Sequence, residues 1–502
     1  MGRRSAHFVF LAKSLDRSKT TSLELQLCAE LRDAIVTGRL CRGTRVPSTR
    51  VLASDLGISR NTAANAFEQL TAEGYLRSRV GSGTFVADSL PDSFLRAGRP
   101  RSSGRAPAQS GISELPRGRK WARLPNYFPR VKPVPFRHGL PAIDEFPIKL
   151  WAQIAARRYR HMPRELLGYG ATGGYTPLRR AIASYLAISR SVQADPDQII
   201  ILSGGSQQGL FLTAQVLLER GDTAWIEEPG YLGARSTLLA AGARLVPIPV
   251  DDEGIQVATG IRTATQPRVI YVSPSNQYPL TVTMSLSRRL ELLELARSSG
   301  AWVIEDDYDS EYRYHSRPIA ALQGLGKHNR VIYVGTFSKL LVPALRIGFL
   351  VAPPQLVEAF TAFNGLMNRT PPAFEQLILT DFIEEGHLAR HVRRMRMLYL
   401  ERQNYLCETA SRELDGLLEL KPAPAGTHLV GFVPPGAQDA VWAGAAAAAD
   451  IETIALSNYY MRRVPRGGLI LGYAAYGREA TRSAIQKLGK ALRPLTAGRA
   501  LR

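Results

Sequence analysis

The chain has 502 residues, 45% of them hydrophobic and 21% charged, which excludes a largely disordered protein and leaves length for more than one domain. Its 64 Lys and Arg exceed its 43 Asp and Glu, a formal net charge of +21. A chain this basic attracts polyanions, nucleic acid first and an anionic membrane surface second.

The first residues, Arg3-Arg4 followed by the apolar stretch Phe8 to Leu11, are too short for a signal-peptide core and are interrupted by Lys13 and Asp16. Leu23, Leu27, Leu31 and Ile35 then fall at helical spacing, and Gly38 sits where that helix should end. In the run Pro47 to Thr62, Ser48 caps a short helix ending near Leu56, Gly57 makes a tight turn and Ile58 plugs the core. Ser59 caps a second helix running to about Ala72. That is helix-turn-helix punctuation. It puts Arg60, Asn61 and Thr62 in the first turn of the second helix, where a recognition helix meets base edges. Gly74 to Arg79 leads into Gly81-Ser82-Gly83-Thr84-Phe85-Val86, a β-hairpin whose glycine tip lets backbone approach a phosphate chain. The run resembles a GntR-type winged helix-turn-helix over residues 20–88. The resemblance implies Arg45, Ser48, Arg50, Ser59, Arg60, Thr62 and Gly83 at double-stranded DNA.

Residues 89–130 are rich in Arg, Pro, Ser and Gly and poor in apolar side chains, so they read as a basic flexible linker. From 131 to about 495, helical periods alternate with short β-branched runs: Gln198–Leu202, Thr223–Glu227, Arg268–Val272, Ala301–Glu305, Val331–Val334 and Ile347–Val351. This alternation predicts an α/β domain with a mainly parallel sheet. The alanine run Ala445–Ala449 reads as helix interior.

Three stretches of this domain carry chemistry. Ser203-Gly204-Gly205-Ser206-Gln207-Gln208 lies between a strand and a helix expected over Gly209 to Glu219, a turn suited to phosphate. Trp302 to Tyr312 is a buried strand running into an acidic cluster, Glu305-Asp306-Asp307-Tyr308-Asp309, which reads equally as a ligand site or a solvated loop. Gly335 to Gly348 places Lys339 after Ser338 at a strand end, with Arg346 shortly beyond. A lysine there is a candidate for covalent bonding to an aldehyde. Gly168-Tyr169-Gly170-Ala171-Thr172-Gly173 matches a dinucleotide fingerprint but follows no convincing strand, so it is set aside.

Together these stretches resemble the fold-type I, class I/II aminotransferases, which use pyridoxal phosphate. The resemblance implies that Lys339 is the Schiff-base lysine and that Asp306 pairs with the pyridine nitrogen, with Asp307 as rival. It gives the ring phenolate oxygen to Tyr308 and the phosphate to Gly205, Ser206, Gln207, Ser338 and Arg346. Tyr231 would cover the ring face, Asn276 would be a further contact, and Tyr169 would reach a phosphate across a dimer interface. A GntR-type reader, a basic linker and an aminotransferase-like domain in that order resemble the MocR family of transcriptional regulators. That implies a cytoplasmic, DNA-binding homodimer whose large domain senses pyridoxal phosphate, an amine or an amino acid. The alternative is a competent aminotransferase with an accessory DNA-binding domain. Asn276 stands where many relatives carry histidine, and Thr281 where glycine is common. The late strand Gly467 to Tyr473 lacks the arginine with which aminotransferases of this fold hold a substrate carboxylate; Arg466 and Arg478 are nearest.

Cys28, Cys41 and Cys407 are too scattered for a disulfide framework or a metal site, and no metal is expected. No apolar run reaches the roughly 18 residues of a membrane span. The basic excess is assigned to the winged segment and the linker, with Lys339 and Arg346 reserved for an internal phosphate ligand.

Overall fold

The computed structural model describes residues 15–17, 21–79, 82–88, 124, 134–263, 266–314, 319–462 and 464–497. They belong to two compact units, divided between Ser110 and Gly111. The expected linker, apart from Leu124, and Gly81 at the hairpin tip lie outside the described residues.

The small unit has three helices, α1 (Leu23–Val36), α2 (Thr49–Leu56) and α3 (Arg60–Ala72), then an antiparallel pair, β1 (Leu76–Arg79) and β2 (Gly83–Val86). Each helix opens on a serine whose hydroxyl accepts a backbone N–H: Ser22 from Leu25, Ser48 from Val51 and Ser59 from Thr62. These caps satisfy amides that have no partner within the helix. Gly57 ends α2 at φ 64°, a left-handed conformation that a β-carbon resists, and so turns the chain into α3. Leu27, Leu31, Leu52, Ala63, Ala66, Leu70 and Val86 form its core, with Ile58 half-buried against it.

The large unit is built on an eight-stranded sheet. Its strands are β3 (Ile199–Leu202), β4 (Thr223–Glu228), β5 (Arg244–Asp251), β6 (Gly254–Ile255), β7 (Val269–Val272), β8 (Trp302–Asp307), β9 (Val331–Thr336) and β10 (Gly348–Val351), in the order β3-β10-β9-β8-β7-β4-β5-β6. Pairing is parallel from β9 through β8, β7 and β4 to β5; β10 runs antiparallel to both its neighbours and β6 antiparallel to β5. The central strands are buried on both faces, which is why Ile-Ile-Ile-Leu and Val-Ile-Tyr-Val read as unbroken apolar runs. Alternate residues serve opposite cores. Ile199 and Ile201 pack with one cluster, Ile200 and Leu202 with another.

Helices α4 (Ile148–Arg160), α5 (Thr176–Arg190), α6 (Ser206–Leu217), α7 (Leu232–Ala240), α8 (Leu286–Ser299), α9 (Val357–Asn368), α10 (Phe374–Glu384), α11 (His387–Glu413), α12 (Asp439–Ala448) and α13 (Arg478–Ala497) belong to the same unit. A second, antiparallel sheet has the order β11 (Glu419–Leu420), β12 (His428–Phe432), β14 (Gly468–Gly472), β13 (Ile454–Ala455).

The sequence places α6 at Gly209 to Glu219, but the helix begins at Ser206. Gly205, at φ 70°, breaks the strand direction and lets the helix start at once. Ser206 and Gln207 therefore sit in the first helical turn. The alanine run is helical through Ala448, as α12. The segment 168–173 follows a single 3-10 turn, Arg164–Leu167, and no strand, so it is not a dinucleotide site. Among the described residues no helix is long and apolar enough to cross a membrane. No group of three or more His, Cys, Asp or Glu among them could hold a metal.

Candidate functional site

A cavity of about 540 Å³ opens at the carboxyl ends of the parallel strands, where ligands bind in open α/β sheets. The first turn of α6 supplies Ser206 and Gln207, the turn after β4 supplies Tyr231, β8 supplies Asp306, and the β9–β10 connection supplies Lys339.

The Lys339 ammonium donates to the Gly139 carbonyl at 2.5 Å. Gly139 has φ +70°, and a β-carbon there would lie 2.8 Å from Lys339 Nζ, so the lysine is seated where only glycine fits. Burial pushes the Lys339 pKa down and Arg346 pushes it further, against the opposing pull of Asp309 and Asp306.

The acidic cluster is no solvated loop: Glu305, Asp306, Asp307 and Asp309 are all buried. Alternation along β8 sends Asp306 and Asp307 to opposite faces. Asp307 faces Arg190 Nε at 2.7 Å and the Tyr333 hydroxyl at 2.6 Å. Asp306 lines the cavity. Its Oδ2 accepts from the Tyr271 hydroxyl at 2.8 Å, while its buried Oδ1 has no protein partner. Burial raises its pKa to about 6, with Asp307 adding to the rise and the Tyr271 bond and Lys339 opposing it.

Tyr308 lines the cavity and donates to the Asn276 carbonyl at 2.9 Å. Asn276 lies buried behind it, with Nδ2 donating to both Asp309 oxygens at 2.9 and 3.0 Å. The Tyr231 ring stands edge-on to Tyr278, and its hydroxyl donates to Gln207 Oε1 at 3.3 Å. Gln207 in turn donates to Thr237 Oγ1 at 2.7 Å. Arg346 donates to the Gly204 carbonyl, and its guanidinium lies 3.5 Å from where a Gly205 β-carbon would be. Ser338 is buried, and its hydroxyl has no protein partner. Ten of the eleven expected cofactor residues thus converge on the cavity or the turns beside it. Tyr169 does not. It is 79% exposed, lies under the Arg369 guanidinium and is absent from the cavity wall.

Sequence reasoning missed Arg137, His138, Gly139, Tyr271, Tyr278, His428 and Tyr459, which also line the cavity. Gly472 is the signal that places the first of these. A β-carbon on it would lie 2.2 Å from the Arg137 carbonyl, so β14 must be glycine there for residues 136–138 to lie alongside. Arg466 pairs with Glu419 at 2.6 Å, and Arg478 with Glu401; neither reaches the cavity. Thr281 has φ 62°, the left-handed region that glycine tolerates best.

In the small unit, Arg60 and Asn61 are exposed at the start of α3, and Arg50 is exposed on α2. The Ser59 and Thr62 hydroxyls lie 2.8 Å apart, so both side chains close the turn. Arg45 lies against the wing, with Nε 3.1 Å from a β-carbon placed on Gly83. The charge assignment needs correction. Residues 21–88 hold eight arginines and seven acidic residues, and the nearby excess lies in residues 89–130, with nine Lys and Arg against two acids. Three of the acids pair with local arginines, Glu73 with Arg32, Asp33 with Arg39 and Asp88 with Arg77, while Arg45, Arg50 and Arg60 are exposed.

Residues 23–86 match the gntR family of bacterial regulatory proteins, and residues 140–451 match aminotransferase class I and II. The chain is 42% identical, over 97% of its own length and 97% of the relative's, to the probable rhizopine catabolism regulatory protein MocR of Rhizobium meliloti. The chain belongs to the MocR family of transcriptional regulators. Another relative of this MocR-family chain is the pyridoxine biosynthesis regulator PdxR of Corynebacterium glutamicum, 28% identical over 95% of this chain and 98% of that one. Its large unit is similar to the α-aminoadipate aminotransferase LysN of Thermus thermophilus, solved with N-(5'-phosphopyridoxyl)-L-leucine. That match has a TM-score of 0.67 and 28% identity, covering 72% of this chain and 93% of that one.

Proposed function

We propose that the chain is a regulator that binds double-stranded DNA through α2, α3 and the β1–β2 wing, and holds pyridoxal phosphate in the large-unit cavity as the sensor of an amine effector. The observation that carries the cofactor reading is the buried, partnerless Asp306 Oδ1 in the same cavity wall as Lys339. A buried carboxylate oxygen without a donor is costly unless a ligand supplies one, and a protonated pyridine nitrogen fits. The partnerless Ser338 hydroxyl beside the Gly205 turn and Arg346 suits a phosphate in the same way.

Pyridoxal phosphate supplies an aldehyde to which amines add and a ring that withdraws their electrons. The chain's own groups prepare for it. The lowered Lys339 pKa leaves more free amine near neutral pH. Asp306, ionised above about pH 6, would hold a proton at the ring nitrogen. Tyr308 would meet the phenolate oxygen and Tyr231 the ring face, while Gly205, Ser206, Gln207, Ser338 and Arg346 would hold the phosphate. Tyr169, on the exposed surface, would act from the partner subunit of a homodimer. Sensing is favoured over turnover because Arg466 and Arg478 are both engaged outside the cavity. The family context and the lack of a membrane-crossing helix among the described residues favour the cytoplasm.

The test is reconstitution of the full chain with pyridoxal phosphate. A visible absorbance band is expected, and Lys339→Ala should abolish it while promoter footprints persist. Arg60→Ala should do the reverse. Undiminished DNA affinity after removal of residues 1–88 would overturn the DNA assignment. Sustained turnover with an amino acid and a keto acid would favour the aminotransferase alternative.

A further inference from the structure

The family match in the small unit starts at residue 23, but the chain is already docked on that unit at Leu15. Leu15 is half-buried against the same core as Leu27 and Leu31. Gln26, on α1, then clamps the backbone of Asp16 on both sides. The Asp16 N–H donates to Gln26 Oε1 at 2.9 Å, and Gln26 Nε2 donates to the Asp16 carbonyl at 2.9 Å. The same Nε2 donates to the Thr21 carbonyl at 2.7 Å. Residues 15–17 thus form a short arm held by one apolar side chain and one amide.

The clamp delivers Arg17 to the turn of the helix-turn-helix. Its Nη2 donates to the Gly57 carbonyl at 2.5 Å, and a β-carbon on Gly57 would lie 3.5 Å from the same nitrogen. Gly57 is the left-handed C-cap of α2, and α3 opens shortly after it at Arg60. In a helix-turn-helix the N-terminus of the second helix enters the major groove while the first helix crosses the backbone. The turn between them therefore stands at the groove rim, where phosphates run. Arg17 and Gly57 are both exposed. A guanidinium has five N–H donors in a fixed fork, so one can hold the turn while others meet a phosphate oxygen. The arm is ordered before DNA arrives, so such a contact costs little further entropy.

We infer that Arg17, docked through Gln26, contacts a DNA phosphate beside the recognition helix, so that the DNA-reading surface extends upstream of α1. The inference rests on the DNA reading of the small unit. A phosphate contact carries no sequence information, so the test needs no operator. The full chain is titrated with a mixed-sequence DNA duplex at a series of salt concentrations. In Arg17→Ala the slope of log affinity against log salt should become shallower by about one, with affinity lower by on the order of tenfold at low salt. The bond lost is on the exposed surface, where water replaces it, so this variant folds. Arg17→Lys keeps the charge and should keep the slope. Gln26→Ala keeps every charge but unclamps the arm, and should make the slope shallower too. An unchanged slope in Arg17→Ala overturns the inference, because the guanidinium then only steadies the turn. A shallower slope in Arg17→Ala with Gln26→Ala unaltered also overturns it, because the charge then acts without its placement. If the unmodified chain binds no duplex at all, the DNA reading itself fails and this inference falls with it.

Discussion

Asp306 and Asp307 are neighbours of identical chemistry, yet the same substitution should have opposite effects on them. The Asp306 carboxyl is raised from 3.8 to about 6 by burial. At about 1.4 kcal/mol per pKa unit, its ionised form costs the empty fold roughly 3 kcal/mol at pH 8. The native carboxyl holds its proton more firmly than the unfolded one does. Stability from this group is therefore full below the unfolded pKa of 3.8 and is lost as pH rises to about 6. Asp306→Asn removes that loss, and the amide oxygen still accepts from Tyr271, giving up about 1 kcal/mol of charge assistance. The cofactor-free variant should gain about 2 kcal/mol at pH 8 and lose the decline between pH 4 and 6. Its affinity for pyridoxal phosphate should fall by about ten- to a hundredfold. Asp307→Asn breaks a pair whose side chains are 1–2% exposed and leaves Arg190 buried without its counter-ion. It should cost about 3–5 kcal/mol. Urea unfolding of the cofactor-free protein across pH, followed by cofactor titration, measures all of these. Destabilisation of equal size in both variants at pH 8 would refute the reasoning.

Ser59→Ala removes both the α3 cap and the bond to Thr62. It should cost the small unit about 1 kcal/mol, read as a lower midpoint for its own unfolding transition. Thr281→Gly releases a β-branched residue from φ 62° and should stabilise the large unit by about 1 kcal/mol in urea. Gly139→Ala places a methyl 2.8 Å from Lys339 Nζ. It should weaken the visible band on cofactor addition while leaving DNA footprints unchanged.

The small unit was legible almost residue by residue because its signals are local: a serine cap, a left-handed glycine and a second cap within the stretch 48–62. The sheet was legible because strands buried on both faces, such as Ile199–Leu202 and Val269–Val272, read as unbroken apolar runs. Its acidic end was only half legible. Alternation says that Asp306 and Asp307 face opposite ways, but Arg190, more than a hundred positions earlier, decides which faces the cavity. Arg137 to Gly139 and His428 were illegible for the same reason. Residues 136–138 reach the cavity by lying against the backbone of Gly472 in β14, and His428 reaches it from the start of β12 to meet Tyr278, and no local pattern announces either. The start of α6 was misplaced because the turn from β3 is only three residues long, Ser203 to Gly205, and Gly205 at positive φ caps the helix directly.

The seam between β3 and β10 has a consequence for abundance. Gly348 packs so closely on Gly205 that a β-carbon there would lie 2.8 Å from the Gly205 carbonyl carbon. The strands joined there bring Gly205 and Arg346 together from on the order of 140 positions apart. An anion gripped between them would work as a removable clasp across that long loop. Each tenfold rise in free cofactor above its dissociation constant would then add about 1.4 kcal/mol to the folded state. Under that linkage the cell's supply of pyridoxal phosphate would set how many regulator molecules survive proteolysis, besides what each one does at a promoter.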